Sequence, residues 1–350
     1  MISNNHGSQR VLVTGGKGFV ASHCILQLLQ QGYCVRASLR DLSSKNKVVA
    51  MLTEGGLTSI EGLTFIECEL TKDDNWEAAA KDCDFILHVA SPLTLAAPKD
   101  KNEMIKPAVE GTLRVMKAAR ECGVKRVVMT SNFGAVGYSH TDTSKVITET
   151  SWTNPGEKNL SPYNQSKVLA ERAAWDFIRR EGGGLELSVI NPVGIFGPSL
   201  SADLSSGFQL LNRVLDGTMK SIPNITLGIV DVRDVADLHL RAMTNPAAKG
   251  ERFLAVAGAT MSLPEIAALF IDKLGETAKK VSAKKLPDWQ VRLAAIFNPV
   301  ARNLAPMLSR YRDASNEKAK KLLGWQPRSN EEALLATAAS LVHFGFISGH

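Results

Sequence analysis

The chain has 350 residues, 41 Lys and Arg against 35 Asp and Glu, and a formal charge of +6. Its composition, 44% hydrophobic and 22% charged, excludes a disordered tract, a collagen-like repeat and a small disulfide scaffold, and leaves one large domain or two joined ones. Five scattered cysteines, Cys24, Cys34, Cys68, Cys83 and Cys122, make no CxxC pair and no Cys/His cluster, so reduced thiols and no metal are expected. The polar start from Met1 to Arg10 and the early break at Gly15, Gly16 and Lys17 predict no secretory leader, no membrane span and a cytoplasmic protein. Lys279, Lys280, Lys284 and Lys285 read as solvated positions, and no nucleic-acid partner is expected.

Along the chain, short β-branched runs alternate with helical patterns. Val11 to Thr14, Val35 to Leu39, Leu63 to Ile66, Phe85 to Val89, Val127 to Thr130 and Leu187 to Ile190 predict parallel strands covered on both faces. The fold class is α/β, a doubly wound, mainly parallel sheet with a smaller C-terminal substrate-binding region. After Gly18 an apolar stripe of Cys24, Ile25, Leu28 and Leu29 predicts a helix closed at Gly32. Ser161 as cap and Pro162 at the first position predict another, ending near Gly182. Beyond Asn191, a Pro-, Gly- and Ser-rich stretch to Gly207 predicts a loop at the carboxyl edge. Gly228 to Ala242 reads as a strand and helix returning to the core, and Ser262 to Leu274 and Glu331 to His343 as later helices. The regions interleave: residues 1–191 with 225–257 for the nucleotide, and residues 192–224 with 258–350 for the substrate.

Strand, glycine turn and helix start follow one another at Val11 to Ala21. Gly15 permits a tight turn and Gly18 lets backbone approach a pyrophosphate at the helix N-terminus, with Phe19 and Val20 in the first turn. Gly18 stands where a phosphate-binding P-loop needs Ser or Thr, which disfavours an NTPase. The second strand ends in Arg40, whose guanidinium suits a 2′-phosphate and hence NADP(H), with Lys47 as a second cation; Asp41 keeps NAD open. Tyr163 and Lys167, four apart, share one helical face. A phenol with pKa about 10 needs positive charge nearby to exchange protons at neutral pH, and Lys167 is expected to supply it and to hold a ribose. His88, in an apolar strand, is expected in the core, and the seven histidines form no HExxH motif.

Together these segments resemble the extended short-chain dehydrogenase/reductases of the NAD-dependent epimerase/dehydratase superfamily, near the dihydroflavonol 4-reductase-like and methylglyoxal-reductase-like branch. Thr14 to Ala21, Arg40, Glu69 and Leu70, His88 to Pro92, Thr130 and Ser131, Tyr163 to Lys167, Asn191 to Pro198 and Asp231 to Asp237 carry the resemblance. It implies Glu69 and Leu70 beside the adenine, Val89, Ala90 and Ser91 along the phosphate-to-ribose path, and Pro192, Val193 and Ile195 around the nicotinamide. The family's third catalytic residue, a Ser or Thr, falls on Asn132, with Ser131 just before it; spacing leaves the two open. An Asn amide donates to a substrate oxygen and cannot relay a proton. Phe133, Phe196 and Phe208 either wall an apolar substrate pocket or pack. The expected activity is NADPH-dependent reduction of a small ketone or aldehyde by a monomer or homodimer. A nucleotide-sugar epimerase/dehydratase and a non-catalytic NADP sensor are the alternatives.

Overall fold

The structure is a computed structural model and describes residues 9–92, 100–140, 145–157, 160–203, 205–297, 308 and 312–347. The strands β1 (Arg10–Val13), β2 (Cys34–Leu39), β3 (Leu63–Glu67), β4 (Phe85–His88), β5 (Arg126–Thr130) and β6 (Glu186–Pro192) pair in parallel with a seventh, Arg252–Ala255. The spatial order is the seventh strand, β6, β5, β4, β1, β2, β3. The chain winds outward from β1 to β3, then returns to lay β4 on the other side of β1. That reversal opens a crevice beyond the carboxyl ends of β1 and β4, where ligands bind in sheets of this kind.

Burial follows the sequence runs. Every residue of β4 and β5 is buried, as a strand covered on both faces requires. Helix α1 (Phe19–Gln30) turns Cys24, Ile25 and Leu28 onto one face, beside α2 (Lys45–Glu54) and the helix Val232–Thr244. Helices α3 (Trp76–Ala80), α4 (Asn102–Glu121) and α5 (Pro162–Glu181) cover the other. Gly32 has φ +82°, the left-handed geometry expected where α1 stops. Ser161 caps α5 by accepting the Asn164 N–H at 3.2 Å, with Pro162 at its first position.

One element differs from the sequence expectation. Ile229–Asp231 does not rejoin the central sheet; it pairs in parallel with Gly194–Phe196 in a small separate ladder, and only the following helix returns to the main core. Residues of that ladder, the helix Leu263–Lys273 and the helix Asn330–His343 enclose a third core around Phe196, Phe208, Ile229, Phe270 and Leu334. Among the described residues no helix is long and apolar enough to cross a membrane, and no group of three His, Cys, Asp or Glu is placed to hold a metal ion.

Candidate active site

The glycine turn is set by backbone needs. Gly15 has φ +70°, and a Cβ there would lie 3.0 Å from the Cβ of Ala90. Its N–H donates to Ser38 Oγ at 3.1 Å, and the Gly16 N–H donates to the Ser38 carbonyl at 2.9 Å, which docks the turn on β2. Gly18 is the cap residue of α1 and supplies no side-chain cap for the first N–H groups of the helix, at Phe19 and Val20. Thr14 Oγ1 accepts the Ala90 N–H at 2.9 Å and lies 3.1 Å from His88 Nδ1, tying β1 to β4. Burial, with Lys167 nearby, pulls the His88 pKa down to about 3, so it is a neutral core residue.

The residues read as adenosine contacts cluster at the ends of β2 and β3. Arg40 is exposed, and its charge helps hold the Glu69 carboxyl below its usual range, behind the hydrogen bonds from Lys72 and Thr71. Asp41 is committed elsewhere: its carboxylate accepts the Ser43 N–H at 2.8 Å. Lys47, read as a second cation for the 2′-phosphate, lies 2.6 Å from the Asp203 carboxylate. Leu70 packs on α4, where a Cβ at Gly111 would meet its own Cβ at 2.8 Å. A narrow cavity brings Leu70, Ala90, Ser91, Thr130 and Lys167 together, while Val89 packs in the core. A larger depression of about 430 Å³ lies at the opposite, amino-terminal ends of the strands, between Phe85, Lys125, Arg126 and Glu186. There Lys125 is paired with Asp84 and Arg126 with Glu186, and the glycine turn is at the other edge.

Tyr163 and Lys167 project from α5 toward the end of β5. Burial raises the phenol's pKa, Tyr138 adds to the rise, and a hydrogen bond with Asn132 opposes both. Lys167, expected to supply positive charge to the phenol, lies one turn on along the same helix, its ammonium buried against the Thr130 carbonyl 3.3 Å away. Desolvation brings the Lys167 pKa down to about 8, opposed by Glu171 one turn on. Asn132, rather than Ser131, thus meets the phenol. The Ser131 Oγ is buried with no hydrogen-bond partner among the described residues, an orphan of the kind that a bound group or water satisfies.

Behind the pair lies a charged network that spacing did not reveal. Glu171, fully buried, accepts from Arg252 Nε at 2.6 Å and from Asn191 Nδ2 at 2.8 Å; that Nδ2 also lies 3.2 Å from the Asn132 carbonyl. Arg252 donates to the carbonyls of Glu149 and Ser151 at 2.8 and 2.9 Å and stacks 3.7 Å over Trp152.

A buried lysine costs stability while it is charged. Its folded pKa of about 8 lies below the unfolded value of about 10.4, so between these the unfolded chain binds more protons and stability rises with pH. Lys167→Met is therefore expected to raise the urea midpoint at about pH 7, with the gain shrinking as pH climbs from 8 toward 10. A midpoint difference constant with pH would refute the assignment.

Pro192 closes β6, and Val193 and Ile195 pack partly buried on the main core. Phe133 is buried and T-stacked on Tyr138, ring centroids 5.9 Å apart, close to Tyr163. Phe196 and Phe208 are 2% and 1% exposed in the third core, with Phe208 edge-on to Phe19 at 5.3 Å.

A parallel sheet with this strand order, opened at β1 and β4 by a helix without a side-chain cap, is the dinucleotide-binding class of α/β fold. Within that class the chain belongs to the NAD dependent epimerase/dehydratase family, which its residues 11–256 match. It is 35% identical over 276 residues to an anthocyanidin reductase of Vitis vinifera, covering 75% of this chain and 80% of that protein. Cinnamoyl-CoA reductase 1 of Arabidopsis thaliana is 35% identical over 250 residues, 70% of each. Among solved structures, yeast methylglyoxal/isovaleraldehyde reductase Gre2, complexed with NADPH, superposes with a TM-score of 0.79 at 26% identity, over 96% of this chain and 99% of that one.

Proposed function

We propose that this protein is an NADP(H)-dependent oxidoreductase that reversibly reduces the carbonyl group of a small ketone or aldehyde. The observation that carries the reading is the Tyr163 phenol, partly buried, hydrogen-bonded to Asn132 and one helical turn from the buried Lys167. Burial keeps that phenol protonated at neutral pH, the state from which a reduction draws its proton. The nicotinamide, when bound, supplies the hydride. Tyr163 gives its proton to the carbonyl oxygen as alkoxide character develops, and an Asn132 N–H stabilises the same oxygen. Lys167 holds the adjoining ribose through its ammonium. The turn from Gly15 to Val20 receives the pyrophosphate, with Glu69 and Leu70 toward the adenine and Val89, Ala90 and Ser91 along the path between. Pro192, Val193 and Ile195 border the ring, and Phe133 with Tyr138 forms the aromatic side of the substrate's place. The described residues of 192–224 and 258–350 are the candidate substrate-binding region.

NADP(H) over NAD(H) is supported by the exposed Arg40 and by the prior commitment of the Asp41 carboxylate to Ser43. The same pair weighs against an epimerase that recycles bound NAD. Arg40→Ala is expected to weaken NADPH roughly 10- to 100-fold and NADH hardly at all, since one charge-assisted contact is worth about 1.5–3 kcal/mol. Titration of the variant with both nucleotides checks it. The reductase reading itself is tested by incubating the purified protein with NADPH and a panel of ketones and aldehydes, with Tyr163→Phe alongside. Stoichiometric NADPH binding with no turnover across the panel would replace the enzyme by a sensor.

A further inference from the structure

Asn132 is held at both ends of its carboxamide. Its Oδ1 accepts the Ala135 N–H at 3.0 Å as the cap of the turn Phe133–Ala135. A backbone N–H only donates, so this contact fixes which end of the amide is oxygen. Nδ2 then donates one proton to Oδ1 of Asn164 at 3.0 Å, and the second remains for the Tyr163 phenol oxygen. Asn164 follows Tyr163 in the first turn of α5, anchored by its own N–H on Ser161 Oγ. Space for its side chain comes from Gly134: a Cβ there would stand 2.2 Å from the Asn164 oxygen.

We propose that Asn164 is a positioning residue, whose side-chain oxygen holds the Asn132 carboxamide so that one N–H is aimed at the shared place of the Tyr163 oxygen and the substrate carbonyl. Position 132 is thereby a fixed donor in place of a hydroxyl. The inference rests on the reductase reading and adds a constraint to it. As the hydride's electron pair forms the new C–H bond, the carbonyl π pair becomes an oxygen lone pair and takes the phenolic proton. The phenolate left behind is stabilised by the Asn132 N–H. An amide has no proton to release, so Tyr163 regains its proton by a route that does not pass through residue 132.

The titratable and charged groups around this corner are Lys167, one turn from Tyr163 on α5, Tyr138 after the turn, and Arg312, whose guanidinium lies 4.7 Å over the Tyr138 ring. All stay in place when Asn164 is changed. Asn164→Ala is expected to lower kcat for reduction roughly tenfold, the worth of one oriented hydrogen bond. In the alcohol-oxidising direction with NADP+, the rise of rate with pH moves to higher pH, because the phenolate loses its donor. Asn164→Asp, which keeps an acceptor oxygen, recovers most of the lost kcat. In an Asn132→Ser background, Asn164→Ala costs nothing further, since no amide is left to orient. An equal loss in both backgrounds, or an unmoved pH profile, overturns the proposal. Should Asn164→Ala fail to fold, Gly134→Ala, which expels the Asn164 oxygen, is read in its place under the same two criteria. Retained activity in Tyr163→Phe instead removes the proton-donor role of Tyr163 on which this inference rests, no turnover by the wild-type protein removes the reductase reading itself, and an inactive Tyr163→Phe beside an unaffected Asn164→Ala removes this inference alone.

Discussion

Tyr163→Phe is expected to lower kcat for carbonyl reduction by about 10²- to 10⁴-fold, the usual worth of a positioned general acid. The substitution removes one oxygen and keeps the ring, so the contacts of the aromatic corner with Tyr138 and Phe133 persist and NADPH binding stays near wild type. Loss should therefore fall on kcat and not on nucleotide affinity, measured by NADPH consumption and by fluorescence titration. The pH dependence follows from the two groups on α5. The phenol is pushed above its ordinary value by burial, so it remains a proton donor through neutral pH. Lys167, brought down to about 8, loses its charge first, and the wild-type reduction rate falls as pH rises past that value. A Tyr163→Phe enzyme that keeps more than about a tenth of kcat would take the proton-donor role away from this residue.

The parts of the molecule that were legible in the sequence are those in which contacting residues are close along the chain. The turn from Gly15 to Gly18, the cap at Ser161 and the Tyr163 to Lys167 spacing are local, and backbone geometry alone fixes them. Six strands were legible as short runs containing β-branched residues, and in β4 and β5 every residue is buried. The seventh, Arg252–Ala255, has the sequence Arg-Phe-Leu-Ala with no β-branched residue, so it carries no such run. The choice between Ser131 and Asn132 was not legible, because neighbouring residues leave a strand end in opposite directions and the register of the following turn decides which meets Tyr163. The partners of Lys47 and Arg252 were hidden for another reason: Asp203 and Glu171 lie 156 and 81 residues away, and no periodicity reports such contacts. Phe196 and Phe208 show the limit of composition, since an aromatic in a glycine-rich loop reads alike whether it faces ligand or core.

Arg252→Met is expected to destabilise the fold by about 3–5 kcal/mol, the cost of leaving a buried charge without its partner. Glu171 has no access to solvent, and its remaining contacts, Asn191 Nδ2 at 2.8 Å and Trp175 Nε1 at 3.3 Å, are neutral donors. The carbonyls of Glu149 and Ser151 lose their donor at the same time. Glu171→Met combined with Arg252→Met should be less damaging than Arg252→Met alone, because an apolar pair of similar volume removes the uncompensated charge. Urea unfolding of the four proteins of this cycle measures the coupling, and simple additivity would show that the two side chains do not act as a pair. The double variant also separates stability from catalysis. Asn191 keeps its place in β6 but loses the carboxylate that orients its amide toward the Asn132 carbonyl, so a refolded, stable double variant is still expected to reduce its substrate more slowly than wild type. On that expectation the buried pair acts through the backbone of residue 132, while the same carboxylate also favours the charge of Lys167.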